Sequence, residues 1–129
     1  MNMVATYDLT KIYGKGENEV KALQKVSISI EEGVFVAIVG TSGSGKSTLL
    51  NMIGGLDDPT AGRVEIRGKE INQYKDEELT IFRRRNIGFV FQNYNLIPIL
   101  NVYENIVYTI ELDGTKIDQA YIAEIVNSL

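Results

Sequence analysis

The stretch GTSGSGKSTLL, Gly40 to Leu50, constrains this chain more than any other. It fits GxxxxGK[ST] and lies between the continuously apolar run VFVAIV, Val34 to Val39, and a leucine-containing segment. Strand, glycine loop and helix in that order is the context in which such a loop binds phosphate. The reason is steric and electrostatic. A polyphosphate needs several backbone N–H donors converging on it, and only glycine lets the main chain curl that closely. A helix that starts at the end of the loop adds its positive pole. A flexible linker would not be framed this way.

The motif assigns roles by position. Lys46 is expected on the β- and γ-phosphates and the Ser47 hydroxyl on Mg²⁺. Thr48 and the amides of Gly40, Thr41, Ser42, Gly43, Ser44 and Gly45 are expected around the α/β-phosphate oxygens. A triphosphate and Mg²⁺ are therefore the implied ligands.

The rest of the chain reads as elements that carry this loop. Val4 to Leu9 and Val26 to Ile30 alternate apolar and polar residues, as half-buried antiparallel strands do. Val34 to Val39 predicts a strand covered on both faces in a central parallel sheet, and IGFVF, Ile87 to Phe91, predicts a second. Lys46 to Ile53 predicts a helix with Leu49, Leu50 and Ile53 inward, ended by Gly54-Gly55. RVEIR, Arg63 to Arg67, predicts a further strand after the turn DDPTAG. Asp76 to Phe82 runs from acids toward Arg83-Arg84-Arg85, the charge order of a short helix. The arginines read as a solvated face, and Glu31-Glu32 as surface. Val102, Ile106 and Ile110 repeat at helical spacing, and Ile117 to Leu129 predicts a last helix with Tyr121, Ile122, Ile125 and Val126.

Composition narrows the function classes. The formal charge of −4, from 13 basic and 17 acidic residues, offers no basic footprint for nucleic acid. With no cysteine, disulfides and thiolate metal sites are excluded, and a reducing compartment, the cytoplasm, is favoured. No segment has the pattern of a signal peptide or the length of a membrane helix, so the chain is expected to be soluble. Histidine is absent as well, which removes the commonest general base.

Gly40 to Leu50, followed by GGLDDPTAGRVEIRGKEI and then IGFVFQNYNLIPILNVYENI, resembles an ABC-type ATP-binding domain nearly end to end. The arginine triplet and NLIP are similar to the branch serving lipoprotein-release, macrolide-export and antimicrobial-peptide transporters. The resemblance implies an α/β P-loop NTPase core of ABC type, incomplete, with an N-terminal antiparallel β-subdomain and the start of a helical subdomain. Residues 1–91 would form the β-subdomain and P-loop core, and 92–129 the Q-loop and the beginning of the helical part. Tyr13 falls in the aromatic slot that stacks on adenine. Gln92 falls in the Q-loop slot, where the resemblance implies contact with Mg²⁺ or the attacking water and coupling to a membrane permease.

Leu96, Ile97 and Pro98 form an apolar loop that suits a docking surface or marks a missing cover. The LSGGQ-type signature, the strand ending in Asp-Glu and the histidine switch of the family are not found. The expectation is an ATP-binding subunit, peripheral on the inner face of the cell membrane when assembled, that does not hydrolyse ATP alone. Uncovered apolar strands predict pairing with a second ATP-binding subunit, or self-association as a swapped dimer. A non-hydrolytic nucleotide-binding or assembly module, or a vestigial fragment, is the alternative. A GTPase lacks support because no NKxD-type segment is present, and LDDPTAGRVEIRG speaks against a small-molecule kinase.

Overall fold

A computed structural model describes residues 1–129 in two compact units, 1–83 and 84–129. The first unit is built on a four-stranded antiparallel sheet. Strands β1 (Asn2–Tyr13), β2 (Val20–Glu31), β3 (Ala61–Ile66) and β4 (Lys69–Glu70) stand in the order β2-β1-β3-β4. The alternation in the sequence fixes the register, because a slip of one residue would turn the buried side chains outward. Thr6 thus lies opposite Ile28 on one side and Val64 on the other. Arg67 and Gly68, at φ 50° and 73°, form the two-residue turn from β3 to β4. Both central residues in the left-handed region is the hairpin turn that matches strand twist.

Helix α1 (Lys46–Ile53) packs on β2 and β3. It ends as the glycine pair predicts. Leu56 N–H donates to the Asn51 carbonyl at 2.9 Å, and Gly55 N–H to that of Met52 at 3.1 Å, with Gly55 at φ 62°. These two bonds form a Schellman motif, which satisfies the last carbonyls of the helix. Its buried residues are Leu49 and Met52, whereas Leu50 is exposed and Ile53 only partly covered. The inward face is therefore rotated from the one expected, since a short helix that is apolar nearly all round does not declare its packed stripe. With Ala5, Leu9, Leu23, Val64, Ile66 and Ile71, these two residues make the core of the unit.

The expected central strands differ from the structure. Residues 34–39 and 87–91 run without any ladder partner, and Phe35 is 96% and Val90 86% exposed. A continuous apolar run becomes a sheet strand only when other strands hydrogen-bond to it, and no strand of this chain pairs with either run.

Helix α2 (Asp76–Asn86) runs on through the arginine triplet, which is not a free solvated face. Arg83 donates to the Gly55 carbonyl at 2.9 Å, just past the end of α1. In the second unit Arg84 donates to the Leu112 carbonyl and Arg85 to the Asp113 carboxylate at 3.0 Å, at the end of helix α3 (Val102–Leu112). Cations placed there complement the helix C-terminal dipole. They also hold the Asp113 carboxyl below the usual carboxylate range, with the Arg85 hydrogen bond the largest cause.

α3 opens on a capping box. Asn101 Oδ1 accepts from Glu104 N–H at 2.9 Å, and Glu104 accepts from Asn101 N–H at 2.8 Å. Val107 is its buried residue, while Val102 and Ile106, two of the residues that repeat at helical spacing, are exposed. Helix α4 (Gln119–Ser128) is capped by Asp118 and buries Ile122 alone. No helix is long and apolar enough to cross a membrane.

Candidate functional site

The glycine loop folds because two of its residues adopt conformations other side chains resist. Gly43 and Gly45 lie at φ 80° and 90°, in the left-handed region. Gly45 is the N-cap of α1 and supplies no side-chain cap. The first bond of the helix runs from Leu49 N–H to the Gly45 carbonyl at 2.9 Å. The amides of Lys46, Ser47 and Thr48 thus lie ahead of the helix's own ladder, where an anion is best received. A Cβ on Gly40 would stand 2.7 Å from Ser44 Oγ, so a side chain there would require that hydroxyl to turn away. The Lys46 ammonium spans the loop, donating to the carbonyls of Gly40 at 2.9 Å and Thr41 at 2.7 Å and to Ser44 Oγ at 3.2 Å.

This loop forms one side of a cleft of about 650 Å³. Ser42, Gly43, Gly45, Lys46, Ser47 and Thr48 line it, and Tyr13 lines it too, from the end of β1. Thirty-odd residues of sequence thus return to a single concavity, well inside the roughly 300–1,000 Å³ of small-molecule sites. Val20, Lys21 and Ala22 at the start of β2 complete the wall. Sequence reasoning did not single these three out, because ordinary strand residues carry no signal of what they face.

Tyr13 is held by a small ionic cluster that sequence reasoning also missed. Its hydroxyl donates to Asp57 Oδ2 at 2.8 Å, and Lys11 Nζ reaches Asp57 Oδ1 at 2.9 Å and the Asp58 carbonyl at 2.6 Å. The ammonium also stands 4.9 Å from the centre of the Tyr13 ring. Asp57 raises the Tyr13 phenol above its ordinary range, chiefly through this hydrogen bond, while the neighbouring Thr48 hydroxyl and the Lys11 charge pull the other way. Lys11 in turn holds the Asp57 carboxyl low.

Gln92 belongs to the second unit, where it is exposed and opens a turn over residues 92–95. Tyr94 and Asn95 follow at φ 60° and 49°. The apolar segment after it is pinned by Asn105. The Asn105 amide accepts from Ile97 N–H at 2.8 Å and donates to the carbonyls of Leu100 and Asn101, each at 3.0 Å. Leu96 and Ile99 nevertheless stay exposed. No group of three acidic, cysteine or histidine side chains could cage a metal ion.

Residues 23–129 match the family described as ABC transporter. The chain is 52% identical over 104 residues to an uncharacterized ABC transporter ATP-binding protein of Methanocaldococcus jannaschii, covering 81% of this chain and 44% of that protein. It is 49% identical to a macrolide export ATP-binding/permease protein of Hyphomonas neptunium, over 81% of this chain and 16% of that one. With a lipoprotein-releasing system ATP-binding protein of Geobacter metallireducens it shares 41% identity, over 89% and 51% of the two chains. A solved dimeric ATP-binding cassette bound to ADP and Pi superposes with a TM-score of 0.84 at 46% identity, over 92% of this chain and 52% of that one. The chain spans about half the length of the ATP-binding proteins it matches, and less of those fused to a permease.

Proposed function

Since the chain belongs to the ABC transporter family, in the branch of its lipoprotein-release and macrolide-export relatives, we propose that its cleft binds Mg-ATP as part of a transporter's ATP-binding subunit. The observation that carries this reading is the meeting of Tyr13 with the loop 42–48 in one cleft. Phosphates would lie along the loop amides and the α1 N-terminus, with Lys46 on the β- and γ-phosphates and Thr48 on the α/β-phosphates. Adenine would stack on Tyr13, a contact worth roughly 1–3 kcal/mol for bases on aromatic rings.

The Ser47 hydroxyl fits Mg²⁺ in the manner of a cation that arrives with its phosphates and keeps most of its water, since the chain has no cage of its own. When bound, the cation neutralises phosphate charge. Gln92 is the residue we assign to the cation or the attacking water.

The exposed Leu96, Ile99 and Val102 support a permease docking surface beside Gln92. Uncovered residues 34–39 support pairing with a second copy or a second ATP-binding subunit. We read the assembled protein as peripheral on the cytoplasmic face of the membrane, with residues 1–91 carrying the P-loop core and 92–129 the start of the helical part.

Hydrolysis needs charge stabilisation and a positioned water around the γ-phosphate. With no histidine and no LSGGQ-type segment among these 129 residues, the chain by itself is assigned binding without efficient turnover.

Thermal unfolding with and without Mg-ATP tests the proposal. A ligand at one hundred times its Kd stabilises by about 2.7 kcal/mol. The wild-type midpoint should rise with nucleotide and that of Lys46→Ala should not. Equal response of the two chains overturns the assignment, and Lys46-dependent phosphate release overturns the binding-only reading.

A further inference from the structure

Tyr13 is 40% exposed at the end of a strand, a position from which a tyrosine side chain is free to sample several rotamers. A ring that must first be immobilised makes a poorer stacking surface than one already fixed. Here the ring is tied at its far end. The Asp57 carboxylate accepts three hydrogen bonds, from the Tyr13 hydroxyl at 2.8 Å, Lys11 Nζ at 2.9 Å and its neighbour Asp58 N–H at 2.8 Å.

The turn that presents Asp57 is itself clamped on both sides. Leu56, immediately before it, closes the Schellman motif of α1. Thr60, just after it, donates its N–H to the Thr10 carbonyl at 2.8 Å and accepts Ile12 N–H on its hydroxyl at 2.9 Å. Lys11 does not line the cleft, whereas Tyr13 does, so the cation braces the carboxylate and the ring without taking up the binding face.

We propose that Asp57, braced by Lys11, is a positioning residue for the nucleobase: through the phenol hydroxyl it fixes the Tyr13 ring at the cleft wall, so that the base meets a surface already oriented. This rests on the reading that the cleft binds Mg-ATP, and it deepens that reading by giving the hydroxyl of Tyr13 a task distinct from that of its ring. The depression of the Asp57 carboxyl by Lys11 agrees with it, because the carboxylate then stays ionised as the acceptor throughout the neutral range.

The experiment compares affinities for Mg-ATP and for Mg-tripolyphosphate, which has phosphates and no base, in the wild-type chain and in Asp57→Ala, Asp57→Asn, Tyr13→Phe and the Asp57→Ala/Tyr13→Phe double variant. Asp57→Ala and Tyr13→Phe should each weaken Mg-ATP roughly two- to tenfold, the range for one side chain left to be immobilised on binding. Tripolyphosphate should bind all of them alike. The double variant should be no weaker than either single one, and Asp57→Asn, which keeps an acceptor oxygen, should recover part of the loss.

A second readout is independent of nucleotide. With ring-labelled tyrosine, and Tyr13→Phe to identify the signal among the seven tyrosines, the Tyr13 phenol should titrate at lower pH in Asp57→Ala than in wild type. Equal weakening of Mg-ATP and tripolyphosphate, additive losses in the double variant, or an unmoved phenol titration overturns the proposal. Should Asp57→Ala unfold the turn, Tyr13→Phe, which removes one oxygen, decides by its ATP-to-tripolyphosphate ratio. Absence of Mg-ATP binding by the wild-type chain overturns the cleft reading itself, and the positioning role with it.

Discussion

A methyl group on Gly45 would lie 2.4 Å from the Ala22 carbonyl oxygen and 3.3 Å from Leu23 Cδ2. The glycine loop therefore closes against β2 with no room for a side chain, at a residue that also sits at φ 90°. Gly45→Ala should cost at least about 1–2 kcal/mol from the left-handed backbone alone, with the clash added. Urea unfolding should report that loss, and the rise in melting midpoint on adding Mg-ATP should shrink. An unchanged midpoint would mean that the loop does not pack on β2 as described.

Thr6 is the single buried polar side chain, and it stitches β1 to β2 beside an irregularity in their register. Its hydroxyl donates to the Val26 carbonyl at 2.9 Å and accepts from Ile28 N–H at 3.1 Å. Thr6→Val keeps the shape and strands both backbone groups, so chemical denaturation should show a loss of about 1–3 kcal/mol. Thr6→Ser, which retains the hydroxyl, should keep those two bonds and lose less.

The Tyr13–Asp57–Lys11 cluster gives stability a dependence on pH at both ends. The Asp57 pKa is depressed in the folded chain, so its contribution is present above the unfolded carboxylate value near 3.9 and is lost as pH falls through the depressed value. The Tyr13 pKa is raised, so its contribution is complete below about 10 and is lost as pH rises through the raised value. Melting midpoints measured across pH should fall at both extremes. In Asp57→Asn both falls should flatten, and a profile identical to wild type would dissociate the cluster from stability.

Val34, Phe35, Val36 and Val39 are exposed on a segment with no ladder partner. Such a surface should drive association between copies. Light scattering at micromolar concentration should give a mass above the 14.4 kDa of one chain. A double change of Phe35 and Val39 to threonine should shift the mass toward the monomer. A wild-type chain that is already monomeric under these conditions would overturn the pairing proposal.

What the sequence makes legible here is local. The glycines that take left-handed angles, the helix they start and the alternation of β1, β2 and β3 are each decided within a few residues of chain. The misread parts depend on distant partners. Val34 to Val39 has the pattern of a buried strand, yet that pattern states only what such a segment would need on either side. Leu50 and Met52 are equally apolar, and which one is buried follows from where β2 and β3 pass. Asp57 reads as part of a turn because the residues it binds, Lys11 and Tyr13, precede it by more than forty positions. The arginines of 83–85 look solvated until the carbonyls of Gly55 and Leu112 and the carboxylate of Asp113 come into view. Of the candidate site, the loop was plain from the residues, the slots of Tyr13 and Gln92 came through the family resemblance, and the bracing of Tyr13 was hidden.

Helix α1 has a further consequence for what can change in this protein. It is eight residues long, about 12 Å of axis. It begins at the residues that line the cleft and ends at Ile53, four positions before Asp57. Adding or deleting one residue within it would turn everything beyond by about 100° and shift it by about 1.5 Å, swinging the carboxylate away from the phenol while leaving the glycine loop intact. The number of residues between Gly45 and Asp57 is therefore constrained in its own right: the helix works as a gauge, and its unit is the single residue.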